Sequence, residues 1–502
     1  MNRKVILLLL IISPLFMCSD MMEYEPKPDL EKSSGNSDSF QINEDRQTVY
    51  ASKVTLSSNV SGAVQMRFSN TGTAGTWSSW IPYSASHNWI IEYNSFSSCT
   101  VYAEFMDADA NITQMNDSIY FINRIIPDLP VPDSGFGDKI SISADGYTVA
   151  VTATDYAASK DTIFIFHREN DEWIQVFRTD LPDFIRDIAL SPDGMYFAAS
   201  TSTNTLSDQI IHFFKKTGTV WSAVSDSANI TNEGFGESID FSYNSDYLAV
   251  SRYKSENGKV DIFLPKSGYG WYLSLSYSDY TPDDNTNDWF GRTVKFLKNS
   301  STLIVTAPNR RNVNSGNGFM TNPYGAILIC GFNGTDWDIP SSYDNTSTAI
   351  YLSADIGSLN FNHEISENGN LILLTSAQYN SGKGYSAMFQ KNGSSWTQTE
   401  ITPHPSFSPL ISNDRFGISG GIDSLNSNIY IGCMRSTGSV SKYQISDIAN
   451  PQLFTFSELE NNDKFGYSMD ISDDGRYIAA GAPGKTVNST SKSGAVYILN
   501  SN

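Results

Sequence analysis

Few side chains in this 502-residue sequence are grouped in a way that does chemistry. Asp107, Asp109 and Asn111 alternate like the first ligands of a calcium loop, but no Gly follows at the sixth position and no Glu at the twelfth. A turn between strands is the better reading. Asp283, Asp284 and Asp288 make residues 281–288 the most acidic loop, which reads as a solvated segment before it reads as a cation cage. The histidines, His87, His167, His212, His363 and His404, are scattered without metal-binding spacing, so no metal is expected on them. No nucleophile elbow, phosphate loop or dinucleotide fingerprint is present, and no cofactor is expected. Arg186, Arg252, Arg310, Arg311 and Arg435 are available to a cluster with distant carboxylates, with surface or edge positions as the alternative. Two further features stand in informative settings: Cys18, behind an apolar run, and Arg310, Arg311, Asn312 and Asn314, inside a long insertion.

The elements that must carry these residues are strands. The chain is 40% hydrophobic and 13% aromatic, with 28 Phe and 26 Tyr, enough to bury large β-rich cores and too much for global disorder. Lys and Arg total 33 against 54 Asp and Glu, a formal charge of −21 that repels a phosphate backbone. Nucleic acid is not an expected partner.

Asn2-Arg3-Lys4, an apolar run over residues 5–12 and the segment ending in Cys18 follow the grammar of an export signal. The run is too short to span a bilayer, which takes about 20 residues. Leu15 to Cys18 resembles the lipobox of bacterial lipoproteins, although Phe16 and Met17 stand where small residues are usual. The resemblance implies a signal peptide over residues 1–17, a lipid on Cys18 and attachment to the cell envelope. Ser19 after it resembles outer-membrane sorting. Ordinary cleavage with Cys18 incidental is the alternative. Cys99, Cys330 and Cys433 are odd in number and far apart, which suits buried free thiols in strands. Residues 18–47 are rich in Glu, Asp, Ser, Lys and Pro and read as a disordered tether.

Residues 48–124 carry short alternating β-runs at 49–56, 64–68, 89–93, 100–105 and 119–122, separated by Gly, Ser, Asn and Asp. Gln65 to Asn70, Trp77, Trp80, Pro82-Tyr83, Trp89 and the Val101-Tyr102-Ala103-Glu104-Phe105 run resemble an immunoglobulin-like module of bacterial surface proteins. A small β-sandwich is implied. The family pattern has Gly where this chain has Ala110. Ser69 to Trp77 is similar to the Asp-box turn of sialidases, which carries no chemistry on its own.

From Gly135 onward the chain repeats. Phe-Gly pairs occur at 136–137, 235–236, 290–291, 416–417 and 465–466, and Phe184 and Phe361 mark degenerate copies without the glycine. These seven anchors lie 48, 51, 55, 71, 55 and 49 residues apart. Each copy continues into a turn such as Asp145-Gly146, Asp193-Gly194 or Asp474-Gly475, a hairpin signal. Trp173, Trp221, Trp271, Trp337 and Trp396 mark candidate outer strands. The units resemble the FG-GAP repeat of integrin α-like propellers, which implies a seven-bladed β-propeller over residues 125–502 in an all-β chain. A blade cannot bury both faces of its sheet alone, so blades stack around an axis. The last copy ends near Leu499 without an outer strand, and residues 125–131 are the candidate to complete it. None of the units has the Asp-x-Asp-x-Asp-Gly loop that brings calcium to that family.

The expected function follows from address and architecture. The pairing of modules resembles envelope proteins that bind proteins or glycans through propeller loops, without catalysis. Insertions collect at residues 309–323 and 341–356, and such insertions often build a binding surface on one face. A sialidase-like glycan hydrolase at the axis and a periplasmic TolB-like assembly scaffold are the alternatives; Ser191-Pro192-Asp193-Gly194 resembles turns of the latter.

Overall fold

Strands take almost all of the regular structure; alternation of apolar with polar residues sets the buried face of N-terminal strands such as Lys53–Asn59, whereas Thr148–Asp155 and Leu371–Ser376 are buried along almost their whole length. The computed structural model describes residues 38–45, 48–49, 52–92, 98–155, 160–169, 172–202, 209–224, 228–230, 234–254, 258–266, 270–278, 289–298, 301–308, 325–332, 337–338, 349–351, 362–365, 369–423, 427–456 and 458–500. Among them no helix is long and apolar enough to cross a membrane.

The N-terminal unit is a pair of sheets on one core. Lys53–Asn59 lies between Ser39–Ile42 and Ser86–Ile90 in a three-stranded sheet. The second sheet runs Thr48–Val49, Ile112–Phe121, Ser98–Asp107, Ala63–Ser69, Ile81–Pro82. Val54 and Leu56 point inward while Lys53 and Thr55 face solvent, and they meet Met66, Phe68, Val101 and Phe105 in one cluster. Each such large side chain contributes about 1.5–3 kcal/mol when fully buried.

The tether expected over residues 18–47 therefore ends early. Ser39–Ile42 is a strand whose Phe40 and Ile42 join the core, and Asp117 Oδ2 accepts the Ile42 amide at 2.7 Å. Two apolar residues alternating with Ser39 and Gln41 are enough once a neighbouring strand supplies the ladder. Ala110 adopts φ 64°, so the turn at the position where the family has glycine keeps the left-handed shape. Asp107 Oδ1 accepts the Asp109 and Asn111 amides at 2.9 and 2.8 Å, which accounts for the calcium-like spacing as a turn.

Seven further sheets follow among the described residues, each built on four antiparallel strands; six take these in chain order and the seventh takes its fourth from before the repeats. The first is Ile140–Ile142, Thr148–Asp155, Lys160–Glu169, Glu172–Leu181; the second Phe184–Leu190, Tyr196–Ser202, Gln209–Thr217, Val220–Ala223, with Ala228–Ile230 beside its third strand. The third is Phe235–Phe241, Leu248–Arg252, Lys259–Lys266, Gly270–Ser278; the fourth Val294–Phe296, Thr302–Ala307, Ala326–Phe332, Trp337–Asp338, with Ala349–Tyr351. The fifth is Asn362–Ile365, Leu371–Ser376, Tyr385–Asn392, Ser395–Glu400; the sixth Gly420–Ile422, Asn428–Cys433, Ser439–Gln444, Asp447–Phe454. Met469–Ile471, Tyr477–Ala482 and Ala495–Asn500 form the seventh together with Arg124–Ile125. Trp173, Trp221, Trp271, Trp337 and Trp396 all stand in fourth strands.

Each sheet packs on the next. Ile163 and Ile165 of the first meet Phe197 and Phe214 of the second, and Ala249 and Val260 of the third meet Val305 and Leu328 of the fourth. Phe136 and Val151 of the first meet Val496 and Ile498 of the seventh. The Phe-Gly pair makes these joints. Phe136, Phe290, Phe416 and Phe465 each form a parallel bridge to a glycine ahead of the preceding sheet's third strand: Gly494, Gly258, Gly384 and Gly438. In the second sheet Gln209 replaces that glycine, and its side-chain oxygen accepts the Phe235 amide at 2.8 Å.

Arg124–Ile125 supplies the seventh sheet's outer strand, so pairing starts one residue before the expected segment and uses only Ile125 of it. Arg124 Nη1 lies 3.2 Å from both Glu458 carboxylate oxygens, and the Tyr497 hydroxyl donates to Glu458 Oε1 at 2.5 Å. Next to that carboxylate, burial keeps the Tyr497 hydroxyl protonated far above its ordinary range.

Candidate functional site

The first strand of every sheet is the innermost, and its free edge faces its neighbours around an axis. Unpaired amides there need acceptors. Side chains of the preceding innermost strand supply them: Asp470 Oδ2 accepts Ile142 N at 2.8 Å, Ser141 Oγ accepts Leu190 N at 3.0 Å, Asp187 Oδ2 accepts Ile239 N at 2.8 Å and Asp240 Oδ2 accepts Phe296 N at 2.6 Å. These four contacts stitch the seventh, first, second, third and fourth sheets in succession.

Inside this ring lies a cavity of about 480 Å³. Asp138, Asp187, Glu237, Asp240, Asp470 and Asp473 line it together with Lys139, Arg186, Arg292, Lys295 and Lys298. The charges come from the first, second, third, fourth and seventh sheets, whereas the sixth contributes Ile418, Ser419, Gly420, Gly421 and Ile422. A cavity of this size suits a small ligand.

The charges are not equally committed. At the end formed by the hairpin turns, Lys298 of the fourth sheet reaches Asp473 of the seventh, with Nζ 3.0 Å from both its carbonyl oxygen and Oδ1. Midway, Lys295 Nζ lies 3.7 Å from Asp240 Oδ1. At the Phe-Gly end, Arg292 pairs with Glu237 at 3.2 Å and its guanidinium lies over the Tyr253 ring at 4.7 Å.

Burial pushes the Asp187 carboxyl up to about 6, against the pull of Lys139, and Asp240 likewise to about 6, against Lys295. Both keep part of their surface toward the cavity, so desolvation comes from the protein mass around them. Asp470 is raised for the same reason. Burial works against the Lys139 ammonium, but Asp138 and Asp187, with Tyr467 and Glu237, outweigh it and raise its pKa.

Of the arginines considered for such a cluster, Arg186 lines the cavity. Arg252 instead pairs with buried Asp261 at 3.0 Å, and Arg435 holds Asp414 at 2.6 Å in a loop. Arg310, Arg311, Asn312 and Asn314 lie outside the described residues, as do Cys18 and the acidic loop at 281–288. Sequence reading missed Asp138, Lys139, Arg292, Lys295 and Lys298. The signal is a fixed offset: Asp138, Arg186, Glu237, Arg292 and Tyr467 each stand two residues after an anchor phenylalanine.

The histidines whose side chains are described make local contacts. His167 and His212 bond Thr148 and Thr201 at 3.1 and 3.0 Å, and His87 stacks on Phe68. Cys99, Cys330 and Cys433 are buried and not joined in disulfides. Among the described residues no group of three His, Cys, Asp or Glu side chains is placed to hold a metal ion.

The FG-GAP repeat family matches residues 452–499, the unit containing Phe465-Gly466. With the succession of small sheets, this makes the C-terminal part β-propeller-like. No curated protein matches the chain. Among solved structures, the chain is similar to Kuenenia stuttgartiensis hydrazine synthase, at 12% identity and TM-score 0.45 over 75% of this chain and 97% of that one. It is also similar to a structure from a study of two prolyl endopeptidases, at 13% identity and TM-score 0.44, spanning 73% of this chain but only 46% of that one. A Lactobacillus plantarum protein aligns at 11% identity and TM-score 0.42 over 78% and 95%. Likeness at this level carries no functional argument.

Proposed function

We propose that this chain is an exported, lipid-anchored protein of a bacterial envelope, an immunoglobulin-like sandwich carrying a closed seven-bladed propeller of FG-GAP-like repeats. The propeller binds proteins or glycans through its loops and does no catalysis. One observation carries the reading. The second-to-third-strand connections leave the sheets at the Phe-Gly end, and in the sequence the long insertion holding Arg310, Arg311, Asn312 and Asn314 belongs to the connection between the paired residues Ala307 and Ala326. A long connection borne by a rigid scaffold is a common carrier of recognition. Asp187, Asp240 and Asp470 each give one carboxylate oxygen to a neighbouring amide, which supports a structural role for these three.

Protease shaving of intact cells, with mass analysis of the N-terminal peptide, tests address and orientation together. Release of propeller peptides and a lipid on Cys18 are the expected results; an unmodified Cys18 in the mature protein overturns the anchor. For the loops, an R310A/R311A chain is compared with the parent on glycan arrays and in cross-linking to neighbouring cells. Equal binding by both removes these residues from the surface.

A further inference from the structure

The axial cavity has one end where polar groups are left unused. Asp138 and Lys139 of the first sheet's entry and Arg186 of the second all line it. Arg186 donates through Nε to Ser202 Oγ at 2.6 Å, and its terminal nitrogens bond nothing among the described residues. The Lys139 ammonium makes no hydrogen bond among the described residues; its closest ion pair is Asp138 Oδ2 at 3.8 Å, with Asp187, Tyr467 and Glu237 acting on it at longer range. The Asp138 carboxylate likewise accepts none.

This contrasts with the rest of the axis, where Asp187, Asp240 and Asp470 hold amides and Lys298 is tied to Asp473. Lys139, Asp138 and Arg186, on adjacent sheets, thus line the Phe-Gly end with hydrogen-bonding capacity left over, beside the paired Arg292 and Glu237, while the Lys298–Asp473 bridge crosses the other end. A second observation points the same way. Thr375, only 2% exposed, also lines the cavity and its hydroxyl has no partner. Buried polar groups are nearly always satisfied, so such a cluster calls for an occupant.

Charge decides its class. Neighbouring lysine and arginine donors match a carboxylate, and charge-assisted bonds of this kind are the strong ones. Beside them, Asp138 accepts and has nothing to donate, so it calls for a donor on the same ligand. We infer that this end of the axial cavity is a binding site for a small carboxylate with hydrogen-bond donors beside it. That chemistry is shared by α-amino acids with short peptides and by acidic sugars. At about 480 Å³ the cavity holds either. The site is separate from the loop surface proposed above and stands or falls independently of it.

The test is calorimetry and thermal shift on the purified protein with alanine, dialanine and glucuronate as probes. Alaninamide and glucose lack the carboxylate, acetate lacks the donor, and inorganic phosphate controls for unselective anion binding. Saturable binding of the zwitterions or of glucuronate is expected, with each matched control at least about tenfold weaker. Arg186→Gln and Lys139→Gln should each weaken binding about tenfold while circular dichroism stays that of the parent. A response to the zwitterions alone assigns the peptide source, and a response to glucuronate alone assigns the sugar. No binding by either class at millimolar concentration, phosphate binding as well as the carboxylates, or unchanged binding in Arg186→Gln overturns the site. Should Arg186→Gln fail to fold, Lys139→Gln is read in its place.

Discussion

Phe136 and Gly494 lie side by side in a parallel bridge, although the first opens the repeats and the second precedes their last strand. Gly494 has φ 84°, and a Cβ there would overlap the backbone of Phe136. Gly62, in a hairpin turn at φ 76°, has nothing within 4 Å of such a Cβ. Gly494→Ala should therefore cost about 2 kcal/mol or more, since neither backbone can move aside, while Gly62→Ala should cost about 1 kcal/mol for its dihedral alone. Urea unfolding of both variants checks the difference.

The seam should also be sensitive to its charges. Glu458→Ala leaves Arg124 and the buried Tyr497 hydroxyl without their carboxylate, in surroundings where Arg124 is 10% exposed. Breaking one side of a buried pair typically costs about 3–5 kcal/mol, so a loss near the lower end is expected, measured as a shift in the denaturant midpoint. A change below about 0.5 kcal/mol would mean that water replaces the carboxylate.

The strand at residues 39–42 gives a sharper test of where the sandwich begins. Ile42 is fully buried, so Ile42→Ala should cost about 2–4 kcal/mol, whereas Gln41→Ala, half-buried and opposite Ser57, should cost far less. Equal effects at both positions would return the strand to the tether.

Asp187 and Asp240 make stability depend on pH in a set direction. Each titrates at about 6 when folded, raised by burial from the ordinary 3.8. Between those values the folded chain holds protons that the unfolded chain has released, so stability from these groups is greatest at the acid end and falls as pH rises toward 6. Asparagine keeps an oxygen for the Ile239 and Phe296 amides but removes the titration. Asp187→Asn and Asp240→Asn should thus gain stability relative to the parent at pH 7.5 and show no such gain at pH 4.5, read by thermal melts at both.

Burial raises the Cys433 thiol to about 11, with Asp414 adding to it and Arg435 opposing. The side chain should resist thiol reagents in the native protein at pH 8 and react once urea unfolds it, which peptide mass mapping will show.

The repeat is legible in the sequence because its signals are local. A Phe-Gly pair, an Asp-Gly turn and a closing tryptophan recur at similar spacing, and each has a job in one joint or one hairpin. Ser39–Ile42 is not legible, since two buried residues make no period until Lys53–Asn59 lies beside them. The axial charges are hidden for a different reason. Lys139 stands far from Arg292 and Lys295 in the chain, and only the curling of the sheets brings them to one cavity. At two joints a side chain takes the place of a backbone acceptor: Asp161 accepts the Ile185 amide and Gln209 the Phe235 amide, where Phe136, Phe416 and Phe465 donate to the carbonyl before the bridging glycine.

The outer strand of the seventh sheet comes from Arg124–Ile125, while its partner Ala495–Asn500 comes from the other end of the repeats. During synthesis the first-made strand of the ring must wait for the last, with the intervening repeats already on the ribosome's far side. Its pairing closes the largest loop in the molecule and pays that entropy only once, at the end. Until then the seventh sheet has an open edge, and the folding chain carries its aggregation hazard at the place where the finished ring has its seam.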